Sequence, residues 1–190
     1  APLAIFLCVF FTLFLPNNLI AQQIVQVGCG EYCTTYRTSN GNLYEALWNS
    51  NTPTAVNVGL TNVVDVDGAQ YTNIARQADG KVYIVGFTGS IAFTTLVNTD
   101  SLGKPFTDVS KVYGWYQSYL AIRNDGTVWT WNERNRETDY GIIFDMQIDK
   151  PVQLVQPPGG RRVTKLSVSR QSEYCVLALC SDGKVWKYTS

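Results

Sequence analysis

The sequence predicts an all-β fold, a small or partial β-propeller of about four three- to four-stranded blades. One pattern recurs four times: an apolar-rich run, an Asn-Gly or Asp-Gly pair, and a second run that opens with an aliphatic and an aromatic residue. The glycines of the four pairs, Gly41, Gly80, Gly126 and Gly183, are 39, 46 and 57 residues apart. Self-similarity at such a loose period is typical of a repeat architecture. Beyond the apolar N-terminus, no segment shows sustained helical periodicity.

Each Asn-Gly or Asp-Gly pair predicts a β-hairpin. Such a pair between β-rich runs favours a two-residue type I′ turn, which needs positive φ at both central positions. The four glycines are therefore expected to be structural turn residues. The residues after the turns form a second series: Leu43–Tyr44, Val82–Tyr83, Val128–Trp129 and Val185–Trp186. Large aromatic side chains at a repeated position usually pack between sheets, so core packing is favoured over ligand binding.

A further strand is predicted ahead of each hairpin, where apolar residues alternate. These strands lie at 24–27, 62–66, 108–112 and 162–166. The repeat units are then approximately 24–60, 61–106, 107–160 and 161–190. Because one such unit cannot bury both of its faces, neighbouring blades must stack against each other.

Residues 1–21 have the pattern of a secretory signal peptide. An apolar run from Leu3 to Leu15 ends at Pro16, and a polar patch follows to Ala21. Cleavage is expected between Ala21 and Gln22. The run is shorter than the roughly 20 apolar residues of a transmembrane helix, although an uncleaved anchor is the alternative. The mature chain, 22–190, is thus expected to be secreted, extracellular or periplasmic, without a membrane segment.

The composition limits the chemistry that the chain offers. It is 45% hydrophobic, and Lys plus Arg equals Asp plus Glu at 15 each, so no net charge attracts nucleic acid. Histidine is absent, which removes the commonest general base and metal ligand. Asp65 and Asp67 share one face of a strand but are interpreted as exposed carboxylates. We expect no catalytic residue, metal, cofactor or nucleic-acid partner.

If the chain is exported, the redox state of its compartment bears on the four cysteines that remain after cleavage. These are Cys29, Cys33, Cys175 and Cys180. An oxidising compartment favours disulfides, with three connectivities open, or buried thiols. Cys175 and Cys180 should not pair with each other, because their odd spacing on one strand points them to opposite faces. A Cys₄ zinc site is disfavoured, because the spacing lacks C-x₂-C pairs.

The units resemble the regulator of chromosome condensation (RCC1-like) repeat, which reads roughly V-x-x-V-x-x-G-x-x-H-S-L-A-L-x-x-D-G-x-V-x-x-W-G. The stretches nearest to this pattern are GLTNVVDVDGAQYTNIARQADGKVYIVG and KPVQLVQPPGGRRVTKLSVSRQSEYCVLALCSDGKVWKY. The resemblance covers residues 24–190 and implies a β-propeller, typically of seven blades. With four units and an end just after the last hairpin, the chain is expected to be a fragment of a larger propeller.

The chain also departs from the family pattern. The His position of the repeat holds Cys33, Thr72, Ser118 and Cys175, and the N-x-x-G-Q-L-G tail is missing. These small side chains are interpreted as packing residues. The best-known relative binds nucleosomes and drives guanine-nucleotide exchange, but no residues here match that activity, so it is not carried over.

The ligand-binding candidates are aromatic and basic residues near predicted turns. Trp115 and Tyr116 fall in the first turn of the third unit, and Trp131 opens a predicted loop that carries Arg134 and Arg136. Trp and Tyr beside charged groups suit sugar stacking or a protein hot spot. The competing interpretations are that Trp131 packs between blades and that the charge run is a solvated loop.

The sequence therefore predicts a secreted, non-catalytic propeller that acts as a protein-interaction or scaffolding module. One alternative is a carbohydrate-binding, lectin-like propeller. Another is the N-terminal part of a larger secreted polysaccharide-active enzyme. The expected partner is a protein or a glycan whose identity the sequence does not specify.

Overall fold

The computed structural model describes residues 23–30, 33–47, 55–88, 91–115, 118–138, 141–168 and 175–188. Within these ranges the chain forms four antiparallel β-sheets, which confirms the predicted all-β propeller fold. The predicted signal peptide lies outside the described residues. Over the described part of the chain, no helix is long and apolar enough to cross a membrane.

Each sheet, called a blade here, is built from strands that are consecutive in the chain. The first contains β1 (Ile24–Cys29), β2 (Cys33–Thr38), β3 (Leu43–Leu47) and β4 (Ala55–Asn57). The second contains β5 (Val63–Gly68), β6 (Asn73–Gln77), β7 (Val82–Thr88) and β8 (Ile91–Leu96). The third contains β9 (Val109–Trp115), β10 (Ser118–Arg123), β11 (Val128–Thr138) and β12 (Gly141–Ile148), and β13 (Val152–Gln153) pairs with β11. The fourth contains β14 (Val163–Val168), β15 (Val176–Cys180) and β16 (Val185–Tyr188).

The hairpin between the second and third strands of each blade differs from the predicted type I′ turn. Gly80 has a φ of 83°, whereas Asp79 is not among the described non-glycine residues with positive φ. Gly80 N donates to Gln77 O at 3.0 Å, and Gln77 N donates to Lys81 O at 2.9 Å. This pattern is a type I turn followed by a left-handed glycine, the G1-bulge loop. The other three hairpins have the same bonds, and their glycines, Gly41, Gly126 and Gly183, have φ values of 80°, 82° and 81°.

The core lies between consecutive blades. The aliphatic residue that opens the third strand of one blade packs on the paired apolar residues of the next blade's first strand. In chain order, these contacts join Leu43 to Val63 and Val66, Val82 to Val109 and Val112, and Val128 to Val163 and Leu166. The apolar residues at the V-x-x-V spacing thus form the face of each blade that packs against the preceding blade.

The repeated aromatic position also packs between blades. Trp129 is buried in the cluster that joins the second and third blades. Tyr83 packs against the cluster between the first and second blades, and Trp186 against the cluster between the third and fourth. These side chains fill the space on the opposite face from the aliphatic residue beside them, since successive strand residues point to opposite faces.

One predicted loop is a strand. The charged run after Trp131 continues β11 as far as Thr138 and pairs with β12, with Glu133 opposite Ile148 and Glu137 opposite Ile142. The prediction of a loop was wrong, because it gave the density of charged residues more weight than the strand alternation that begins at Trp129 and Trp131. β11 therefore lies inside its sheet, between β10 and β12.

The hairpin glycines have a second role where the next blade begins. Val63 N donates to Gly41 O at 2.9 Å, and Val163 N donates to Gly126 O at 3.0 Å. A Cβ on Gly126 would lie 2.6 Å from Arg162 Cβ and 3.0 Å from Val163 N, whereas one on Gly183 would have none of the described residues within 4 Å. Gly126 therefore serves both the turn and the contact between blades, and Gly183 serves the turn.

A pair of substitutions separates these two roles. Gly183→Ala should lower the free energy of unfolding by about 1 kcal/mol, the cost of a left-handed alanine. Gly126→Ala should lower it by about 2–3 kcal/mol, because the added methyl also displaces the start of β14. Urea denaturation of both variants measures the difference. Equal losses would contradict the close contact between Gly126 and the fourth blade.

Candidate functional site

Carboxylates on the first strand of the second blade bind the backbone of the third blade. Asp65 Oδ2 accepts from Val112 N at 3.1 Å, and Asp67 Oδ2 accepts from Gly114 N at 3.1 Å. Asp65 Oδ1 also accepts from Gln26 Nε2 at 2.9 Å. Both carboxylates are half-buried, so the interpretation as exposed groups was wrong. Their role is structural, because each satisfies a buried backbone donor on the edge of the sheet, where the first strand has no neighbouring strand on one side.

The same arrangement recurs on either side of these carboxylates. Gln26 Nε2 donates to Val66 O at 2.9 Å, from the first blade to the second. Tyr113 Oη accepts from Leu166 N at 3.1 Å, from the third blade to the fourth. Burial raises the pKa of Tyr113, which keeps the phenol protonated. The first strands of the first three blades thus each use polar side chains to bind the backbone of the next first strand.

A buried polar group lies between the first and second blades. Glu45 on β3 and Asn73 on β6 are fully buried, and Asn73 Nδ2 donates to Glu45 Oε1 at 2.7 Å. The same Nδ2 lies 3.1 Å from Cys33 Sγ. Burial raises the pKa of Glu45 to about 7, although the bond from Asn73 opposes the shift.

Glu45 and Asn73 each have one buried oxygen that forms no hydrogen bond. Glu45 Oε2 and Asn73 Oδ1 are buried and have no hydrogen-bond partner among the described residues. Both are acceptors when the carboxylate is ionised. A protonated Glu45 is neutral, so its burial with two unbonded oxygens costs less than that of a carboxylate.

A carboxyl with a raised pKa beside a thiol has the chemistry of an acid–base pair. However, Cys33, Glu45 and Asn73 are all sealed between two blades and give no surface that a substrate could reach. In the described ranges, moreover, no three His, Cys, Asp or Glu side chains come together as metal ligands. The group therefore acts as a polar contact that holds the two blades in register.

The aromatic residues predicted as ligand candidates do not form an exposed platform. Trp115 is the last residue of β9 and is buried in the cluster between the third and fourth blades. Trp131 is buried in the preceding cluster, with its ring centroid 5.4 Å from that of Phe106. Stacking on a sugar needs an exposed ring face, which neither indole offers. Tyr116 and the side chains of Arg134 and Arg136 lie outside what the structure describes.

The cysteines are divided between the first and last blades. Cys29 is exposed and Cys33 is buried, while Cys175 is half-buried and Cys180 is buried. The latter two carry free thiols. Disulfide bonding on export stays a prediction.

A hydrogen-bonded turn with an exposed apolar tip connects the second blade to the third. Leu102, at the tip, is 74% exposed. Asp100 is buried beneath the turn, and its Oδ1 accepts from Leu102 N and from Lys104 N, each at 3.0 Å. Asp100 Oδ2 in turn lies 3.5 Å from Arg123 Nη2. The buried carboxylate therefore holds an apolar side chain out into solvent.

A second connection lies beside this turn and is also apolar. Ser101 N donates to Pro151 O at 2.9 Å, which joins the turn to the segment between the third and fourth blades. That segment carries Val152 and Val155, which are 51% and 80% exposed. Val152 is fixed by β13, where it pairs with Thr130. We call Leu102, Val152 and Val155 the loop patch; two exposed lysines, Lys104 and Lys150, flank it in sequence.

Sequence reasoning missed the loop patch, although one signal was present. The segment Asp100–Lys104 has the spacing of the hairpin turns, such as Gln77–Lys81, and forms the same bonds. In three of the hairpins the residue before the glycine is an aspartate that accepts a bond from the backbone N–H two residues later. Leu102 takes that place in this turn. A leucine side chain cannot accept the backbone hydrogen bond that an aspartate accepts at this turn position. Its presence there therefore suggests a role other than stabilising the turn.

The raised pKa of Glu45 predicts a pH dependence of stability. Its folded value of about 7 exceeds the ordinary 4.5, so the folded state binds more protons between these values. The stabilisation is complete below pH 4.5 and is lost as the pH rises to about 7. Unfolding by urea should therefore require about 2 kcal/mol less at pH 7.5 than at pH 5.

Two substitutions test the source of this dependence. Glu45→Gln should abolish it, because an amide does not titrate in this pH range. Asp79→Asn is the control, since Asp79 is exposed and the bonds from Lys81 hold its pKa below the ordinary value, outside the tested range. A parent protein whose stability does not fall between pH 5 and 7.5 would contradict the buried, protonated Glu45.

Comparison with known proteins shows a similarity of fold. No family model and no curated protein matches its sequence. The structure is similar to human WBSCR16, with a TM-score of 0.63 and 16% identity over 89% of this chain and 48% of that one. It is similar to Prp20p from Saccharomyces cerevisiae, with a TM-score of 0.62 and 14% identity over 87% of this chain and 43% of that one. It also matches the computationally designed Ika4 protein, with a TM-score of 0.54 and 12% identity over 89% of this chain and 92% of that one.

The chain thus spans less than half the length of the two natural proteins. Yeast Prp20 is also described as yeast RCC1. The sequence motif and the structural similarity agree, and the described residues have the fold of an RCC1-like β-propeller.

Proposed function

We propose that this chain is a secreted, non-catalytic protein-interaction module that binds a protein partner through the loop patch. The observation that carries the proposal is the exposure of Leu102 and Val155, at 74% and 80%, on segments that are otherwise fixed. Exposed apolar side chains on loops positioned by a rigid scaffold are characteristic of binding surfaces.

The turn under Leu102 is organised before any partner binds. Arg123, which is paired with Asp100, lies over the rings of Phe106 and Trp129, with its Cζ 4.8 Å and 4.3 Å from their centroids. This stack connects the turn to the core of the third blade. Because Asp100 already orders the backbone of the turn, binding a partner there loses little backbone entropy.

The chemistry of the patch favours a protein partner. Aliphatic side chains next to Lys104 and Lys150 match an apolar surface with an acidic rim. Proteins of the same fold also bind proteins: Prp20p is described with its binding to Gsp1p and histones, and yeast RCC1 (Prp20) with Kap60. A lectin-like function has less support, because Trp115 and Trp131 are buried.

Site-specific photo-crosslinking tests this proposal. A photoreactive amino acid placed at 102 or at 155 should link to the same protein in the exporting host. The control position is Thr94, which is exposed on β8 and away from the patch in sequence, and it should give no such link. Leu102→Lys should then weaken binding of the linked protein at least tenfold, since one apolar anchor is lost.

Other results would count against the proposal. Different proteins linked at 102 and 155, or equal linking at 94, would mean that the patch is not a site. Saturable binding to an immobilised glycan, unchanged in the Leu102→Lys variant, would favour the carbohydrate-binding alternative.

Secretion is tested separately at the N-terminus. We expect the exported protein to begin at Gln22, because the apolar run and the small residue Ala21 fit a cleaved signal peptide. Mass spectrometry of the N-terminal peptide measures this. Retention of residues 1–21 in a membrane fraction would support the uncleaved anchor instead.

A further inference from the structure

The outer edge of the second blade is an unpaired strand. β8 pairs with β7 on one side and, among the described residues, with no strand on its other side. Thr94, Thr95 and Leu96 on this strand are exposed. Blades stack face against face, so the outer edge of a blade takes no part in its contacts with the neighbouring blades.

The register with β7 shows which backbone groups of β8 point outward. Val97 N donates to Val82 O at 2.9 Å, and the pairing continues along all of β8 without a shift. Hydrogen-bonded and non-hydrogen-bonded pairs alternate in an antiparallel ladder. The N–H and C=O groups of Ala92, Thr94 and Leu96 therefore face away from β7. None of the described residues forms a hydrogen bond with these outward groups.

β8 lacks the features that protect a sheet edge from pairing with another strand. These features are charged side chains, proline, bulges and short length. The sequence from Val82 to Thr99 contains no charged residue and no proline, and the six residues of β8 pair with β7 without a bulge. The other outer strands are protected: β4 has three residues, β13 has two, β16 carries Lys187, and β12 carries Asp145 and has an irregular register.

An aromatic side chain fixes β8 on its own blade. Phe93 lies opposite Gly86 on β7, and a Cβ on Gly86 would be 2.7 Å from Cζ of the Phe93 ring. The ring therefore occupies the space above this glycine, a contact that holds two strands in register. The edge of β8 is thus ordered before another strand pairs with it.

We propose that β8 pairs with β8 of a second copy of this chain, around a two-fold axis at Thr94. The two strands run antiparallel, with Thr94 opposite the partner subunit's Thr94 and Ala92 opposite the partner subunit's Leu96. All the outward-facing residues of β8 then fall in hydrogen-bonded pairs, each of which exchanges two N–H···O bonds. The second blades of the two copies join into one continuous sheet.

The composition of this edge favours a second copy over a different protein. A residue on a two-fold axis faces itself, so a charge there would face an equal charge. The uncharged stretch from Val82 to Thr99 avoids this repulsion. The side chains also match, because Thr94 faces a threonine and Phe93 lies opposite the partner subunit's Thr95. Threonine pairs and pairs of an aromatic with a β-branched residue stabilise antiparallel strands.

Sedimentation equilibrium of the exported protein tests this contact. We expect twice the mass of one chain, with dissociation to one chain on dilution. Thr94→Lys should raise the dimer dissociation constant at least about tenfold, because two ammonium groups would face each other. Thr61→Lys is the matched control, since Thr61 is exposed in the connection between the first two blades, and it should change that constant by less than about twofold.

A mixture of two variants shows whether Thr94 lies on the axis. Thr94→Glu should weaken dimerisation as Thr94→Lys does, since like charges again face each other. An equimolar mixture of the two variants should form mixed dimers at least about tenfold more tightly than either variant pairs with itself. Native mass spectrometry with one variant isotope-labelled measures the mixed dimer, and circular dichroism establishes that each variant is folded. Failure of the mixture to recover dimerisation would overturn the pairing at Thr94.

Two results on the parent protein would also overturn the proposal. One is a single-chain mass at all concentrations, and the other is a mass that grows without limit, because a two-fold contact closes at two copies. A photoreactive residue at 94 should link to a second copy of this chain and not to the protein that binds the loop patch. The two proposals can therefore fail independently.

Discussion

Each blade is held in place by one contact, in which the first strand of a blade covers the third strand of the blade before it. A three- or four-stranded sheet with apolar residues on both faces cannot exclude water from either face alone. The pairs Val82 with Val112 and Val128 with Leu166 repeat this contact along the chain. The hydrophobic effect has no direction, so it brings the blades together without fixing their register.

Polar side chains supply the register. The carboxylates of Asp65 and Asp67 bind the backbone N–H groups of Val112 and Gly114, and Tyr113 binds that of Leu166. The first strands are sheet edges, and their buried N–H groups need partners. Between the first two blades, the buried Glu45 and Asn73 bond across the contact. A shift of one blade by one residue would leave these polar groups unpaired, which costs more than the small loss of apolar contact.

Sequence patterns predicted the local units well and the surfaces poorly. The hairpins, the turn glycines and the inward packing of Trp129 followed from the repeat. The turn type was wrong because an Asp-Gly pair suits both a two-residue and a three-residue loop, and the bonds of neighbouring residues decide between them. Trp115 and Trp131 were proposed as ligand candidates because aromatic residues near predicted turns suggest exposure, but both lie at strand positions that the neighbouring blade covers. Leu102 was overlooked because its signal, a leucine at a turn position that is usually an aspartate, depends on first recognising Asp100–Lys104 as a turn, and that segment lies outside the four repeated hairpins.

By itself, the sequence determined the secondary structure and the repeat, because alternation, turn glycines and the V-x-x-V spacing act over a few neighbouring residues. Only the tertiary structure decided which chemistry each residue has. Asp65 and Asp67 bind the backbone of the next blade, and the buried Glu45 accepts a bond from Asn73. The partners in these bonds are about 28 to 47 positions away in the chain. The exposure of Ile24, Val27 and Val185 was likewise decided by what packs in front of them. Burial and hydrogen bonding depend on residues that are distant in the chain. A local sequence pattern carries no information about those residues.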